Sequence, residues 1–238
     1  DVHDHSVPVD GAYIGVRVYR PDEKVHGAVV YFHGGGWVLG DLEHSDALCR
    51  RLCVDTGLIV LNVDYRLAPE HKFPTAAMDS LESLLWARRS AAELKIDLAK
   101  IAVAGSSAGG NLAAATALAA RDRGIELAAQ LLVYPVLDNA CSLPSYDEYA
   151  DGFIVSSEDM KWYWQQYLGR EEDAISPLAC PLKAETLVGL PSTLVITAEC
   201  DPVRDDGERY AARLREAGVA VQHTRYDGVL HGFFAMPG

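Results

Sequence analysis

Short apolar runs alternate with longer stretches of helical spacing along most of the chain. The apolar runs are four to six residues long and occupy residues 28–32, 58–63, 101–104, 130–134 and 193–197. Runs of this kind are typical of strands buried on both faces of a parallel sheet. The stretches of helical spacing between them lie at 45–55, 76–92, 111–123 and 205–217. The alternation predicts an α/β fold with a mostly parallel central sheet and helices on both faces.

Two further segments, residues 12–19 and 219–226, alternate apolar and polar residues as half-exposed strands do. The second is predicted to be a late edge strand. The rhythm breaks at 139–190, where prolines and aromatic residues are frequent. This segment is predicted to be an insertion that carries one helix, near 158–168, and contributes to the pocket. The chain has 238 residues and shows no repeat or linker, which favours a single domain over 1–238.

Charge and cysteine usage restrict the partners. The net charge of −13 disfavours nucleic acid and anionic membrane surfaces. No apolar run reaches the ~18 to 20 residues of a membrane-spanning helix. The five cysteines form no CxxC pair and no histidine cluster has zinc spacing, so we expect no metal. Reduced thiols in the cytoplasm are the expected state.

The strongest local signal is a G-x-S-x-G motif at residues 105–109. It follows the apolar run at 101–104 and precedes the alanine-rich helix, which is the context of a nucleophile elbow. The middle residue of such a turn has a strained backbone, needs small neighbours and projects its hydroxyl outward. Ser107 is therefore the predicted nucleophile, since Ser106 occupies the variable position before it.

A second glycine-rich segment, His33-Gly34-Gly35-Gly36-Trp37, directly follows the run at 28–32. Three successive glycines contribute no packing and cost backbone entropy. They favour a loop whose N–H groups stabilise a developing oxyanion. A phosphate-binding loop is the alternative, but no Lys-Ser/Thr follows and no G-x-G-x-x-G helix opens there. His33 is predicted to brace this loop.

A serine triad in this order needs a carboxylate and then a histidine downstream of Ser107. Asp201 follows the run at 193–197, and open α/β sheets place their sites at the carboxyl ends of strands. Glu199 is the main alternative. Asp205 and Asp206 are predicted to begin the next helix, where carboxylates interact favourably with the helix dipole.

Two histidines, His223 and His231, follow Asp201. His223 lies in the alternating segment and is predicted to be a surface residue. His231 lies beyond that segment, beside glycines that let a loop bend back, and is the predicted base for Ser107. The ordered set predicts acyl transfer to water through an acyl-enzyme, with no cofactor.

With these motifs the sequence resembles the hormone-sensitive-lipase-like branch of the α/β-hydrolases, which contains many bacterial carboxylesterases. The resemblance extends over nearly the whole chain. It rests on five segments in the order of the family, at 33–37, 64–70, 105–111, 201–205 and 231–233. It implies that Ser107, Asp201 and His231 form the catalytic triad.

The resemblance also implies the surroundings of the triad. The amides of Gly35, Gly36 and Ala108 would form the oxyanion hole, and the segment 64–70 would brace the site. The substrates would be short- to medium-chain acyl esters. Many members dimerise through a late edge strand, here 219–226, so a homodimer is an expectation.

The sequence departs from the family pattern in two respects. Residue 106 is serine, where one large subgroup has aspartate and another threonine. Members also have N-terminal cap helices and a final helix, both of which we expect to be missing here, leaving an open pocket. Three functions share the scaffold: an esterase, an amidase or arylformamidase with the same triad, and a non-catalytic ligand receptor. The receptors that resemble this family lack the triad histidine, whereas His231 is present.

The natural substrate is not encoded in these motifs. Four apolar residues near the predicted loops are candidate substrate contacts: Trp37, Leu39, Phe153 and Val203. Burial in the core is the alternative for each of them.

Overall fold

The computed structural model describes residues 1–21, 27–151 and 153–236. Within these ranges one sheet contains eight strands: β1 (Val2–Val9), β2 (Ala12–Tyr19), β3 (Ala28–Phe32), β4 (Ile59–Asp64), β5 (Ile101–Ser106), β6 (Ala129–Val133), β7 (Ser192–Cys200) and β8 (Val221–Leu230). Their order in the sheet is β1-β2-β4-β3-β5-β6-β7-β8. The pairs β1–β2 and β2–β4 are antiparallel, and the other pairs are parallel. The predicted mostly parallel sheet is confirmed.

The helices of the described residues are α1 (Leu42–Thr56), α2 (Thr75–Arg89), α3 (Ala108–Asp122), α4 (Pro144–Glu148), α5 (Ser157–Tyr167) and α6 (Arg204–Glu216). Local sequence fixes several of their ends. The Asp41 side chain accepts the N–H of His44 at the start of α1, and Gly57 ends that helix with φ 66°. Ser156 and Asp159 form a capping box at the start of α5.

Helices cover both faces of the sheet. Neighbouring residues of a strand point to opposite faces. Val30 packs in the large core cluster with Leu112 of α3, whereas Tyr31 packs with Cys49 and Cys53 of α1. Helices α3 and α1 therefore lie on opposite faces, as the predicted α/β arrangement requires.

One strand and one α-helix of the described residues were not predicted. Strand β1 is an edge strand in which only Val7 is buried, and its histidines, aspartate and Pro8 hide the apolar alternation. The segment 139–190, described except for residue 152, contains the short helix α4 besides α5. Strand β8 also continues to Leu230, so that His231 follows it directly.

Over residues 1–21, 27–151 and 153–236, no helix is long and apolar enough to cross a membrane. In the same ranges, no group of three or more His, Cys, Asp or Glu side chains is arranged to hold a metal ion.

Candidate active site

Ser107 lies at the sharp junction between β5 and α3. Its backbone has φ 57° and ψ −121°, outside the regions that side-chain-bearing residues normally adopt. A Cβ at Gly105 would lie 2.1 Å from the carbonyl oxygen of Gly109, and one at Gly109 would lie 2.0 Å from that of Phe32. Because α3 begins so close to both β5 and β3, both glycines of the motif are required.

The structure brings Ser107, His231 and Asp201 together. The Nε2 atom of His231 lies 2.9 Å from Ser107 Oγ, and its Nδ1 atom lies 2.7 Å from Asp201 Oδ2. Asp201 is fully buried and also accepts the backbone N–H of Val203 at 3.0 Å. With a carboxylate beside Nδ1, the proton of the neutral imidazole sits on that nitrogen, and Nε2 can accept the proton of Ser107.

The alternative carboxylate and histidine lie elsewhere. Glu199 Oε2 accepts the backbone N–H of Gly228 at 2.6 Å, so this carboxylate holds the end of β8. His223 is half-buried, with Nε2 3.0 Å from Thr197 Oγ1, and burial lowers its pKa. It packs against strand β7 and is less exposed than a surface position predicts.

Asp206 has a different role from the one predicted. It does lie in the first turn of α6, but its side chain is fully buried. Its Oδ2 atom accepts the N–H groups of Leu137 and Asp138, at 2.8 and 3.2 Å, and the hydroxyl of Tyr146 at 3.2 Å. Burial raises the pKa of Asp206 to about 8. The carboxyl group therefore connects α6 to the residues that follow β6. The predicted interaction with the helix dipole does not account for this role.

The glycine-rich loop after β3 has a conformation that only glycine tolerates. Gly35 has φ 120°, and a Cβ there would lie 2.1 Å from the carbonyl oxygen of Leu39. Gly36 has φ 60°, and a Cβ there would lie 2.2 Å from the ring of Tyr163. Ala108, in the first turn of α3, has an N–H group that no acceptor within the helix can satisfy. The loop and the helix start can therefore offer amides to a ligand at Ser107.

His33 and the segment after β4 brace this loop. The buried His33 ring donates from Nδ1 to the carbonyl of Gly34 at 2.7 Å and stacks on Tyr65, with ring centroids 4.3 Å apart. The Tyr65 hydroxyl donates to the His33 carbonyl at 2.8 Å. Arg66 in turn forms a bidentate ion pair with the buried Asp79. Burial lowers the pKa of His33 to about 4, so the ring is neutral near pH 7.

Trp37 connects the same loop to helix α5. Its side chain is fully buried and stacks on Tyr167, with centroids 4.3 Å apart and an interplanar angle of 2°. The ring of Trp164 also packs against that of Trp37, with centroids 4.5 Å apart. The prediction of Trp37 as a substrate contact is thereby corrected: its ring is enclosed by the aromatic side chains of α5.

Comparison with known proteins agrees with this fold. Residues 29–235 match a family described as having the alpha/beta hydrolase fold. An arylesterase of Saccharolobus solfataricus is 42% identical over an alignment of 239 positions, which covers 100% of this chain and 78% of the relative. An ethyl acetate hydrolase of Pseudomonas putida is 42% identical over 95% of the chain and 73% of its own length. The chain belongs to the α/β-hydrolase family.

Solved structures of this family superpose closely on the chain. A hyperthermophilic esterase of Pyrobaculum calidifontis has a TM-score of 0.95 at 48% identity, covering 98% of this chain and 78% of that one. The thermostable carboxylesterase EstE1, cloned from a metagenomic library, has a TM-score of 0.96 at 43% identity, covering 99% and 81%. The predicted membership of the hormone-sensitive-lipase-like esterases is confirmed.

A cavity of about 150 Å³ lies beside Ser107 and His231 in this α/β-hydrolase. The glycine-rich loop forms part of its wall. Another part comes from the segment 139–190, through side chains that lie in or just before α5: Val155, Met160 and Tyr163. The remaining wall contains side chains from β3, from α1 and from the ends of β5 and β6: Tyr31, His44, Ser45, Leu48, Ser106 and Tyr134.

None of the other three predicted substrate contacts lies among the cavity-lining residues. Val203 is fully buried at the start of α6, and Leu39 is 57% exposed on the outer side of its loop. Phe153 is partly exposed and packs against Tyr149, with ring centroids 5.5 Å apart. Apolar character alone could not distinguish a residue of the core or the outer surface from one in the pocket.

Sequence reasoning missed the residues that do line the cavity. A helix near 158–168 was predicted, but the sequence does not tell which turn of that helix faces Ser107. Tyr134 follows β6 with φ 34°, a left-handed conformation that a tyrosine rarely adopts. A signal was available for Tyr134, since it ends a predicted strand at the edge of the sheet that also carries Ser107 and Asp201.

Proposed function

We propose that this α/β-hydrolase is a serine carboxylesterase in which Ser107, His231 and Asp201 form the catalytic triad. The hydrogen-bonded relay from Ser107 Oγ to His231 and from His231 to Asp201, at 2.9 and 2.7 Å, is the observation that supports the proposal most directly. His231 takes the Ser107 proton as the oxygen attacks the ester carbonyl. It then donates that proton to the departing alcohol, which leaves an acyl-enzyme.

The second half of the reaction reverses these roles. A water molecule takes the place of the alcohol and loses a proton to His231 as it attacks the acyl-enzyme. The tetrahedral species breaks down when His231 returns the proton to Ser107 Oγ, and the carboxylic acid departs. Asp201 stays ionised throughout and stabilises the imidazolium that forms in each half.

The amides of Gly35, Gly36 and Ala108 are proposed to form the oxyanion hole. The positive φ angles of the two glycines and the position of Ala108 in the first turn of α3 support this role. One such donor typically contributes ~10²- to 10³-fold in rate, because it stabilises charge that develops in the transition state.

We propose small esters as the substrates. The named relatives include an arylesterase and an ethyl acetate hydrolase. The cavity of about 150 Å³ is small beside the ~300–1,000 Å³ of pockets for drug-sized ligands. Its wall contains Leu48, Val155 and Met160, which suit an uncharged acyl or alcohol group. Short acyl chains are therefore expected to react faster than long ones.

Two further proposals concern the molecule as a whole. We propose that two copies pair through β8, since this strand ends the sheet order and an edge strand presents backbone groups for pairing. Arg225→Pro in that strand should then reduce the dimer fraction in sedimentation experiments. A wild type that stays monomeric at all concentrations would refute the pairing. The cytoplasmic location remains a prediction from the cysteine pattern.

Hydrolysis of p-nitrophenyl esters from acetate to decanoate, beside matching p-nitroanilides, tests the proposed function. The wild type should release p-nitrophenol with a burst, as an acyl-enzyme mechanism does, and should favour the short esters. Ser107→Ala should lower kcat by on the order of 10⁶-fold. Ser80→Ala is the matched control, because its buried hydroxyl bonds within α2. Equal rates for Ser107→Ala and the wild type would refute the nucleophile, and turnover of the anilides alone would indicate an amidase.

A further inference from the structure

Three hydroxyl groups lie together at the carboxyl ends of β3, β5 and β6, beside the cavity. They belong to Tyr31, Ser106 and Tyr134, which are 1%, 5% and 2% exposed, and we call them the hydroxyl chain. The Tyr31 hydroxyl lies 3.1 Å from Ser106 Oγ. The Ser106 side chain and the backbone of Phe234 lie close enough to the Tyr134 hydroxyl to influence its pKa. The chain of contacts thus leads from the centre of the sheet to the turn that follows His231.

The effects of its neighbours on the pKa of Tyr134 indicate which groups face its hydroxyl. Burial raises the pKa of Tyr134, whereas Ser106 and Phe234 act in the opposite sense. A backbone group that favours the phenolate presents its N–H to the phenol oxygen. The N–H of Phe234, in the one-turn helix Phe233–Ala235, therefore points toward that oxygen.

The backbone of Tyr134 is held in place from both sides. Its N–H donates to the carbonyl of Ile196 in β7 at 2.6 Å, and the preceding Val133 carbonyl accepts the N–H of Ser107 at 2.9 Å. A non-glycine residue with φ 34° typically costs ~1–3 kcal/mol and persists only where its surroundings determine it. Tyr134 is therefore a fixed point between the elbow and the strand that leads to Asp201.

The ring of Tyr134 touches the imidazole itself. Its centroid lies 4.6 Å from that of His231, at an interplanar angle of 52°. The same ring packs edge-on against Phe233 at 5.7 Å. Tyr134 thus contacts His231 through its ring. It contacts the turn after His231 through both its ring and its hydroxyl.

We infer that Tyr134 is a positioning residue for His231, whose ring it holds between Ser107 and Asp201. The inference rests on the proposed function. Strand β8 lies at the edge of the sheet, and His231 follows it directly, so the sheet supports this histidine on one side only. Tyr134 supplies the second support, and the hydroxyl chain connects that support to β3 and β5.

Tyr134→Phe tests the inference, because it keeps the ring against His231 and removes the oxygen that holds Phe234. We expect kcat for p-nitrophenyl acetate to fall about tenfold, less than the ~10²-fold that a 1 Å misplacement can cost. KM should stay within about twofold, because the ring of Tyr134 remains in the cavity wall and His231 serves acylation and deacylation alike. Ser106→Ala removes the other partner of the Tyr134 hydroxyl and should lower kcat by a smaller factor.

Tyr19→Phe is the matched control. The residue is about as buried as Tyr134, at 1% exposure, and its hydroxyl donates to Asp46 of α1 and not to the site. Both tyrosine variants should lose a few degrees in Tm, but only Tyr134→Phe should lose kcat. If Tyr134→Phe loses stability and keeps its kcat, the residue serves packing only and the inference fails. A wild type without esterase activity would instead refute the proposed function. If Tyr134→Phe does not fold, an unchanged kcat in Ser106→Ala overturns the inference.

Discussion

Exchanging Asp201 for asparagine tests which of the two carboxylates that follow the core of β7, Asp201 or Glu199, acts on His231. Asp201 Oδ2 lies 2.7 Å from His231 Nδ1, whereas Glu199 Oε2 accepts the N–H of Gly228. An asparagine at residue 201 fits the same buried volume but is neutral and can present an N–H to Nδ1. The imidazole then adopts the tautomer in which Nε2 carries the proton and cannot accept that of Ser107.

The expected magnitudes differ widely. Asp201→Asn should lower kcat by ~10⁴-fold, or about 5.4 kcal/mol of transition-state stabilisation. Glu199→Gln keeps an oxygen that accepts the N–H of Gly228, so the ~0.5–1.5 kcal/mol of that hydrogen bond largely remains and kcat should stay within about threefold. Initial rates with p-nitrophenyl acetate measure both effects, and thermal unfolding shows whether each variant is folded.

The control variant is Glu199→Ala, which removes the hydrogen bond to Gly228 and the charge together. It should lower the Tm by a few degrees and change kcat much less than Asp201→Asn does. The reasoning fails if a folded Glu199→Gln loses more activity than a folded Asp201→Asn. It also fails if Asp201→Asn stays within tenfold of the wild type.

Three further predictions follow from the geometry. Gly36→Ala keeps the backbone N–H, but its Cβ would collide with the ring of Tyr163 and displace the proposed oxyanion donor, so kcat/KM should fall by ~10²- to 10³-fold. Gly57→Ala, with a similar φ but open surroundings, should change only stability; equal activity losses would contradict this. Asp206 has a folded pKa of about 8 and an ordinary value of 3.8, so the stability it contributes is complete below about pH 4 and is lost as the pH rises through 8. Urea unfolding from pH 5 to 8 should show this decline in the wild type and not in Asp206→Asn; parallel profiles would show that the buried carboxyl is ionised. Asp79→Ala should lower the free energy of unfolding by ~3–5 kcal/mol because Arg66 loses its buried partner, and a change below about 1 kcal/mol in the same assay would refute that.

The side chains proposed to be catalytic could be predicted because the features that specify them are local. A glycine on each side of Ser107 is required by the close approach of α3 to β5 and β3, and this requirement is visible in the sequence as a motif. The same holds for Gly35 and Gly36, where a Cβ would collide with the carbonyl of Leu39 or the ring of Tyr163. The carboxyl ends of parallel strands lie at the same edge of a sheet. The order of serine, aspartate and histidine along the chain was therefore enough to predict that the three side chains meet there.

The pocket could not be predicted because its wall is set by contacts distant in sequence. The spacing of α5 predicts a helix with one apolar face, and that face is divided between two tasks. Trp164 and Tyr167 pack against Trp37, whereas Met160 and Tyr163 face the cavity. The docking of α5 on the glycine-rich loop decides which turn of the helix packs against Trp37 and which turn faces the cavity.

The contacts of the segment 139–190 also connect the pocket wall to the loop that carries Asp201, the proposed acid of the triad. Arg204, at the start of α6, donates to Glu148 of α4 at 2.8 Å, and the buried Asp206 accepts the hydroxyl of Tyr146. Ser145 Oγ donates to the carbonyl of Pro202, the residue after Asp201, at 2.7 Å. Because α4 is bonded to the loop that carries Asp201, and α5 encloses Trp37 of the glycine-rich loop, this one segment touches both the acid and the oxyanion side of the site. A substitution that shifts it should alter substrate preference and kcat together, whereas a change confined to the cavity face of α5 should alter preference first.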